Sequence, residues 1–134
     1  MNKAYEALEP NIKAVNEFWA GAVDEIEVHS DSALFGEQTQ AGLIPPVFQF
    51  SDNREDATHM AQSVLSGKTT TLTTPLVDFT REGLALPAPG DMSIICDGDG
   101  MPVALVSDTD VKTEWDADNP TDKVVVETFE VIYR

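Results

Sequence analysis

Residues 91–107 read DMSIICDGDGMPVALVS, and this stretch decides the fold. Two apolar runs, 91–96 and 102–107, flank a turn that reads DGDG. Glycine readily adopts the positive backbone angles that tight hairpin turns require. We therefore predict that the two runs form an antiparallel β-hairpin.

Strand-forming residues also occupy the rest of the second half. Residues 68–74 read KTTTLTT and residues 123–133 read KVVVETFEVIY, and both runs are rich in β-branched side chains. Three or four antiparallel strands in a chain of this size favour a small closed or partly closed barrel, which has few exposed edges. We expect an α+β fold in which one domain covers residues 1–134, mainly strand from residue 68 onward.

The first half, residues 1–67, is predicted to be mainly helix and loop. A first helix follows Pro10, because apolar side chains recur there at helical spacing. These side chains are Ile12, Val15, Phe18 or Trp19, Ala22 and Val23, and we interpret them as core. A second helix begins after the capping residues 51–56 and ends at Gly67. The segment 24–53 between the two helices is predicted to be irregular.

The charge of the chain limits its partners. Its 134 residues include 8 Lys and Arg against 24 Asp and Glu, a formal net charge of −16. Nucleic acids bind mainly through neutralised phosphates, so we predict negligible binding of long duplex DNA. The chain shows no signal peptide and no membrane-length apolar run, and its single cysteine, Cys96, is predicted to be a buried thiol. A cytoplasmic location without membrane contact is the default expectation.

Several short stretches resemble known binding motifs but lack the spacing or the structural context that those motifs require. The sequence Ser66-Gly67-Lys68-Thr69 suggests a phosphate-binding loop, but Gln62 stands where that motif needs glycine, and the stretch follows a predicted helix. The DGDG turn lacks the later acidic ligand of a calcium loop. One cysteine and two distant histidines cannot form a standard zinc site. We therefore predict no metal and no cofactor.

Six short stretches form an ordered series over nearly the whole chain. They are Phe18-Trp19, Phe35-Gly36, SGKTTT at 66–71, LPAPGD at 86–91, GMPVA at 100–104 and VVVETFEVIY at 124–133. This series resembles the ASCH domain family, and its most specific part is Gly-Lys-Thr-x-Thr followed downstream by Pro-Gly-Asp. The resemblance implies a barrel like that of pseudouridine synthase and archaeosine transglycosylase (PUA-like), with a cleft that binds RNA or a modified nucleoside.

The resemblance also implies a site. Some members hydrolyse the acyl amide of N4-acylated cytidine with a lysine, a threonine and a glutamate, and others are proposed to be ribonucleases. The matching lysine and threonine here are Lys68 and Thr71. In such a reaction a hydroxyl attacks the amide carbonyl, a nearby amine takes the hydroxyl proton, and an acid assists the departing amine. Family members carry a longer helical segment before the last strand, where residues 112–122 stand here. The glutamate therefore has no clear counterpart, and Glu114 or Asp116 is the candidate substitute.

Binding therefore ranks above catalysis. The leading hypothesis is a module that binds RNA or a modified nucleoside around Lys68, Thr69, Thr70 and Thr71, and the resemblance adds two aromatic residues, Trp19 and Phe35, as ligand contacts. The alternatives are an amidohydrolase or ribonuclease that uses Lys68, Thr71 and Glu114, and an interaction protein whose cleft is vestigial.

Overall fold

The computed structural model describes residues 5–29 and 44–134 of the chain. Eight elements follow one another along these residues. They are α1 (Ile12–His29), β1 (Val47–Phe48), α2 (Arg54–Leu65), β2 (Thr71–Pro75), α3 (Leu76–Arg81), β3 (Met92–Cys96), β4 (Pro102–Trp115) and β5 (Lys123–Tyr133). The result is a mixed α+β architecture around one five-stranded sheet.

The predicted hairpin is confirmed. Strands β3 and β4 pair antiparallel from Met92 opposite Ser107 to Cys96 opposite Pro102. The predicted last strand is also confirmed, because β5 pairs antiparallel with β4 and with β2. The sheet order is β1-β3-β4-β5-β2, so the hairpin and β5 form its centre.

The predicted antiparallel barrel differs from the observed sheet in two respects. Strand β1 pairs parallel with β3, and within the described residues the hydrogen-bonded strands form an open sheet with β1 and β2 as its edges. Both edge strands are short because proline lies beside them. Pro45 and Pro46 precede β1, and Pro75 ends β2 where α3 begins. Proline lacks the N–H that a longer ladder needs.

Other boundaries also differ from the prediction. Helix α1 continues to His29, beyond the predicted end of its apolar stripe at Val23. Helix α3 was not predicted, and it has only six residues. Strand β4 extends to Trp115 because residues 112–115 pair with the start of β5. That extension is exposed and charged, so backbone hydrogen bonds rather than apolar burial define it.

The two long helices pack on opposite faces of the sheet. Side chains of α1, including Trp19, form one core cluster with Ile94 and Leu105. Side chains of α2 form a second cluster with Ile95 and Val106. Neighbouring residues of a strand point to opposite faces, so the two clusters lie on either side of the sheet. We refer to these as the α1 face and the α2 face.

The ends of α2 follow the predicted signals. Asn53 is the N-cap, and its side-chain oxygen accepts a hydrogen bond from the Asp56 N–H at 2.9 Å. Gly67 follows the helix with a φ of +80°, and its N–H donates to the Val64 carbonyl at 3.1 Å. Glycine therefore occupies this position to end the helix, which explains the Gly-Lys-Thr sequence without a phosphate.

The turn between β3 and β4 is fixed by the segments around it. The Gly98 carbonyl accepts from the Leu8 N–H, and the Gly100 carbonyl accepts from the Asn11 N–H, both at 2.8 Å. The Gly98 N–H donates to the Thr58 hydroxyl at 2.9 Å. A Cβ atom at Gly98 would overlap the backbone of Arg54 at the start of α2. Only glycine fits here, because the helix and the turn are in direct backbone contact.

We expect Gly98→Ala to lower the free energy of unfolding by about 3 kcal/mol, since backbone rather than a flexible side chain must move. Gly90→Ala is the matched control, because Gly90 has a φ of +96° but open space around its Cα. The free energy of unfolding of Gly90→Ala should fall by about 1 kcal/mol, from backbone strain alone. Urea unfolding of both variants measures the difference. Equal destabilisation would contradict the close contact.

Candidate functional site

A cleft lies on the α2 face, beyond the part of the sheet that α2 covers. It has a volume of about 670 Å³, within the usual range for a small-molecule site. All five strands contribute to its lining, with Phe48, Ile95, Val106, Glu127 and Leu72 as one example from each strand in sheet order. Helix α3 and the residues after it form the opposite wall. We refer to this as the sheet cleft.

Phenylalanine rings line much of the sheet cleft. Phe48 and Phe50 contact each other edge to face, with ring centroids 5.0 Å apart. Phe129 lies on β5, and Phe79 lies on α3 across the cleft. Aromatic rings of this kind provide flat, apolar contacts for a planar ligand.

Two carboxyl groups lie within these apolar walls. Asp108 follows Ala104 and Val106 on the α2 face of β4, and its side chain is only 8% exposed. Its carboxyl group is hydrogen-bonded to that of Glu127 on β5. Burial is the main reason that the pKa of Asp108 is raised from 3.8 to about 8. The hydrogen bond to Glu127 and the charges of Glu127 and Asp91 raise it further. Asp108 thus keeps its proton at neutral pH.

The lining of the sheet cleft is strongly acidic. Asp78 and Glu82 contribute two more carboxylates from the α3 side. Among the described residues that line the cleft, none is Lys, Arg or His. The nearest basic residue in sequence, Arg81, forms an ion pair with Asp78 at 2.9 Å. A ligand in this cleft therefore meets a negative potential.

The predicted motif lies beside a second, smaller groove. Thr69 and Thr70 line this groove of about 350 Å³, together with the end of α2 and Arg134. We refer to it as the motif groove. Lys68 and Thr71 are exposed and are absent from the lining of both the motif groove and the sheet cleft. Thr71 and its neighbour Leu72 point to opposite faces of β2. Leu72 lines the sheet cleft, so Thr71 points away from it.

The structure does not bring Glu114 close to Thr71. Glu114 pairs with Val124, which in turn pairs with Pro75 at the far end of β2. Thr71 lies four residues away from Pro75 along β2, and Glu114 lies two strands away from β2. Standard strand spacings then give about 13 Å along the strands and about 10 Å across them. Asp116 follows the end of the same strand, even farther from Thr71.

Two other candidate residues have different outcomes. Trp19 is only 2% exposed and packs in the core with Ile94 and Leu105, so its inclusion among the ligand contacts is corrected. The core interpretation of its helical stripe explains this burial. Phe35 lies outside the described residues. Cys96 is buried, and burial is the main cause that raises its pKa to about 11, as expected for an unreactive thiol.

Sequence reasoning missed the acidic pair, although a signal for it exists. Asp108 continues the alternation of Ala104 and Val106, and Glu127 lies between Val125 and Phe129 in the same phase. An acid on the apolar side of a strand is unusual because its charge must be desolvated. Two such acids on neighbouring strands would have indicated a site, but only after β4 and β5 were known to pair.

Comparisons with known proteins agree with this fold. The family model described as the ASCH domain matches residues 46–115, just over half of the chain. The chain belongs to the ASCH domain family. The matched residues of the ASCH domain extend from β1 through β4 and include Asp108, but not Glu127.

Two crystal structures share the fold of this ASCH domain. Protein EF3133 from Enterococcus faecalis V583 has a TM-score of 0.74 and 22% sequence identity, over 92% of this chain and 90% of that chain. An ASCH domain from Lactobacillus crispatus JV V101 has a TM-score of 0.71 and 13% identity, over 88% of this chain and 96% of that chain. No curated protein matches the sequence.

The described residues also bear on two other kinds of site. Residues 5–29 and 44–134 contain no group of three or more His, Cys, Asp or Glu placed to hold a metal ion. No helix within the same ranges is long and apolar enough to cross a membrane.

We expect Asp108→Asn to stabilise the protein increasingly as the pH rises from about 4 to about 8. In this window folded Asp108 holds a proton that the unfolded chain releases, so the stability of the wild type falls with pH. Asparagine has no such proton. Thermal unfolding at pH 5 and pH 8 should give a gain of a few degrees that is larger at pH 8, whereas the exposed Asp110→Asn control should not. A gain independent of pH would contradict the raised pKa.

Proposed function

We propose that this ASCH domain binds a modified nucleoside, either free or as an unpaired residue of RNA, in the sheet cleft. The observation that carries the proposal is the Asp108–Glu127 pair, which lies among phenylalanine rings on the floor of a cleft of suitable size. Family membership supports the same class of ligand.

The walls of the cleft favour a planar ligand. Nucleobases stack on aromatic rings, and each such contact contributes about 1–3 kcal/mol. Phe48 comes from β1 and Phe79 from α3, and both line the same cleft, so two elements offer aromatic rings to a base. The ring of a base is flat and mostly apolar on its faces, as these walls require.

The acidic pair supplies the polar contacts. A protonated Asp108 offers a hydroxyl donor, and the Glu127 carboxylate offers acceptors. The edge of a base likewise carries donors and acceptors side by side. In an apolar cleft such hydrogen bonds discriminate strongly, because a mismatched ligand leaves a buried polar group unpaired.

The motif groove is well placed for the rest of a nucleotide chain. Phe129 lines both the sheet cleft and the motif groove, so the two are adjacent. Thr69 and Thr70 supply hydroxyl groups in the groove, and the exposed Lys68 supplies a cation beside it. These residues are suited to contact a ribose or a phosphate, while the acidic cleft holds the base.

We expect isothermal titration calorimetry to detect binding in a panel of unmodified, N4-acylated and methylated nucleosides. Phe79→Ala should weaken that binding about tenfold or more, because a stacking surface is lost. Val77→Ala is the matched control on the same helix, since Val77 is exposed and absent from the cleft lining.

Two results would contradict the proposal. One is a wild-type protein that binds no nucleoside of the panel, which would favour the vestigial interaction protein. The other is equal weakening by Phe79→Ala and Val77→Ala, which would place the ligand elsewhere.

The hydrolase remains a second candidate because Lys68 and Thr71 match the family motif. We expect hydrolysis of N4-acetylcytidine to be absent or very slow, because Glu114 lies far from Thr71 in the sheet. Loss of a general acid or base typically costs about a hundredfold to ten-thousandfold in rate. Product release should be followed for the wild type and for Lys68→Ala, Thr71→Ala and Glu114→Ala. Brisk wild-type turnover that Lys68→Ala abolishes would place catalysis above binding.

A further inference from the structure

We infer that the sheet cleft selects a nucleoside whose base carries a positive charge, such as a base methylated on a ring nitrogen, over a neutral base. This inference rests on the proposed function and specifies the ligand class of the same cleft. It follows from the combination of an aromatic-lined cleft with carboxylates and no cation in its described lining.

The first argument is charge complementarity. Asp78, Glu82, Asp108 and Glu127 line the cleft, and Arg81 already pairs with Asp78. With Asp108 protonated, Glu82 and Glu127 still contribute two negative charges that no basic lining residue balances. A cation placed between them gains attraction from both sides of the cleft, because Glu82 follows α3 and Glu127 lies on β5.

The second argument is the cost of covering these charges. A bound ligand removes water from Glu127, which is already half-buried beside Asp108. A neutral base leaves that carboxylate desolvated without a counter-charge, and this is unfavourable. A cationic base replaces the lost solvation. The same cost disfavours a phosphate inside the cleft, since it would add a further negative charge.

The third argument concerns the rings. A cation over the face of an aromatic ring is attracted by the ring quadrupole, and the attraction increases when water is excluded. Phe48, Phe50, Phe79 and Phe129 offer several such faces around one volume. Stacking alone accommodates a neutral base as well, so the rings determine the shape of the ligand. The carboxylates determine its charge.

The test compares isomers that differ in charge. N1-methyladenosine is cationic at neutral pH, and N6-methyladenosine is a neutral counterpart with the same heavy atoms and one proton fewer. N3-methylcytidine and 5-methylcytidine form a second pair of the same kind. Calorimetric titration of the full chain at pH 7 should give at least tenfold tighter binding for the cationic member of each pair. The preference should decrease with added salt, because Glu82 is exposed and its attraction for a cation is screened.

Variants connect the preference to the cleft. Glu127→Gln and Glu82→Gln keep the side-chain shape, and each should reduce the ratio of cationic to neutral binding several-fold, whatever the change in the affinity for the neutral isomers. Asp110→Asn removes an exposed carboxylate of β4, the strand that pairs with β5, outside the cleft lining, and should leave the preference unchanged. Circular dichroism of each variant confirms that the fold is retained.

The outcomes separate this inference from the proposed function. Equal or tighter binding of the neutral isomers would overturn the charge preference and leave nucleoside binding intact. If Asp110→Asn reduced the cationic preference as much as Glu127→Gln does, the preference could not be assigned to the sheet cleft. If the protein bound the small cation 1-methylpyridinium but none of the nucleosides, the ligand would not be a nucleoside. That result would overturn this inference and the proposed function together. No binding of any probe would overturn both.

Discussion

The rest of the structure depends on the backbone contact between the β3–β4 turn and the start of α2. Because Gly98 leaves no room for a side chain, the helix begins directly against the turn. The same turn holds residues 8 and 11, just before α1, through its carbonyl groups. Gln49 adds a further link, since its side-chain amide donates to the carbonyls of Leu8 and Asp97 at 2.7 and 2.9 Å. One turn thus positions a helix on each face of the sheet.

This anchoring also explains where the cleft is. Helix α2 is fixed at the turn and covers the α2 face only as far as its twelve residues reach. The central strands β4 and β5 are longer, so their α2 face continues beyond the helix. Asp108 and Glu127 lie in that continuation, where α3 and its following loop form a partial cover. The site is the part of an apolar sheet face that no long helix within residues 5–29 and 44–134 seals, and for this reason it contains buried acids and accessible rings together.

Local signals determined which features could be predicted from the sequence. The hairpin, β5 and both ends of α2 follow from turn glycines, β-branched runs and capping side chains, each within a few residues. Strand β1 and helix α3 are too short for a periodic pattern, and the outer half of β4 is mostly exposed and has no apolar run. For the site, the motif indicated Thr69 and Thr70, which line the motif groove, and their role in ligand binding stays a prediction. The acidic pair required the pairing of β4 with β5, which is a contact distant in sequence.

The structure finally explains why the motif and the cleft have different chemistry. Gly67 ends a helix, and the threonines that follow it lead into an edge strand, so the motif has a structural cause of its own. Its polar, partly basic surface lies outside the sheet cleft, and its contact with that cleft is through Phe129. In the proposed mode of binding, the acidic cleft repels a continuous phosphate backbone from its floor but accepts one base turned away from its chain. The net charge of −16 then disfavours long nucleic acids without preventing recognition of a single nucleoside.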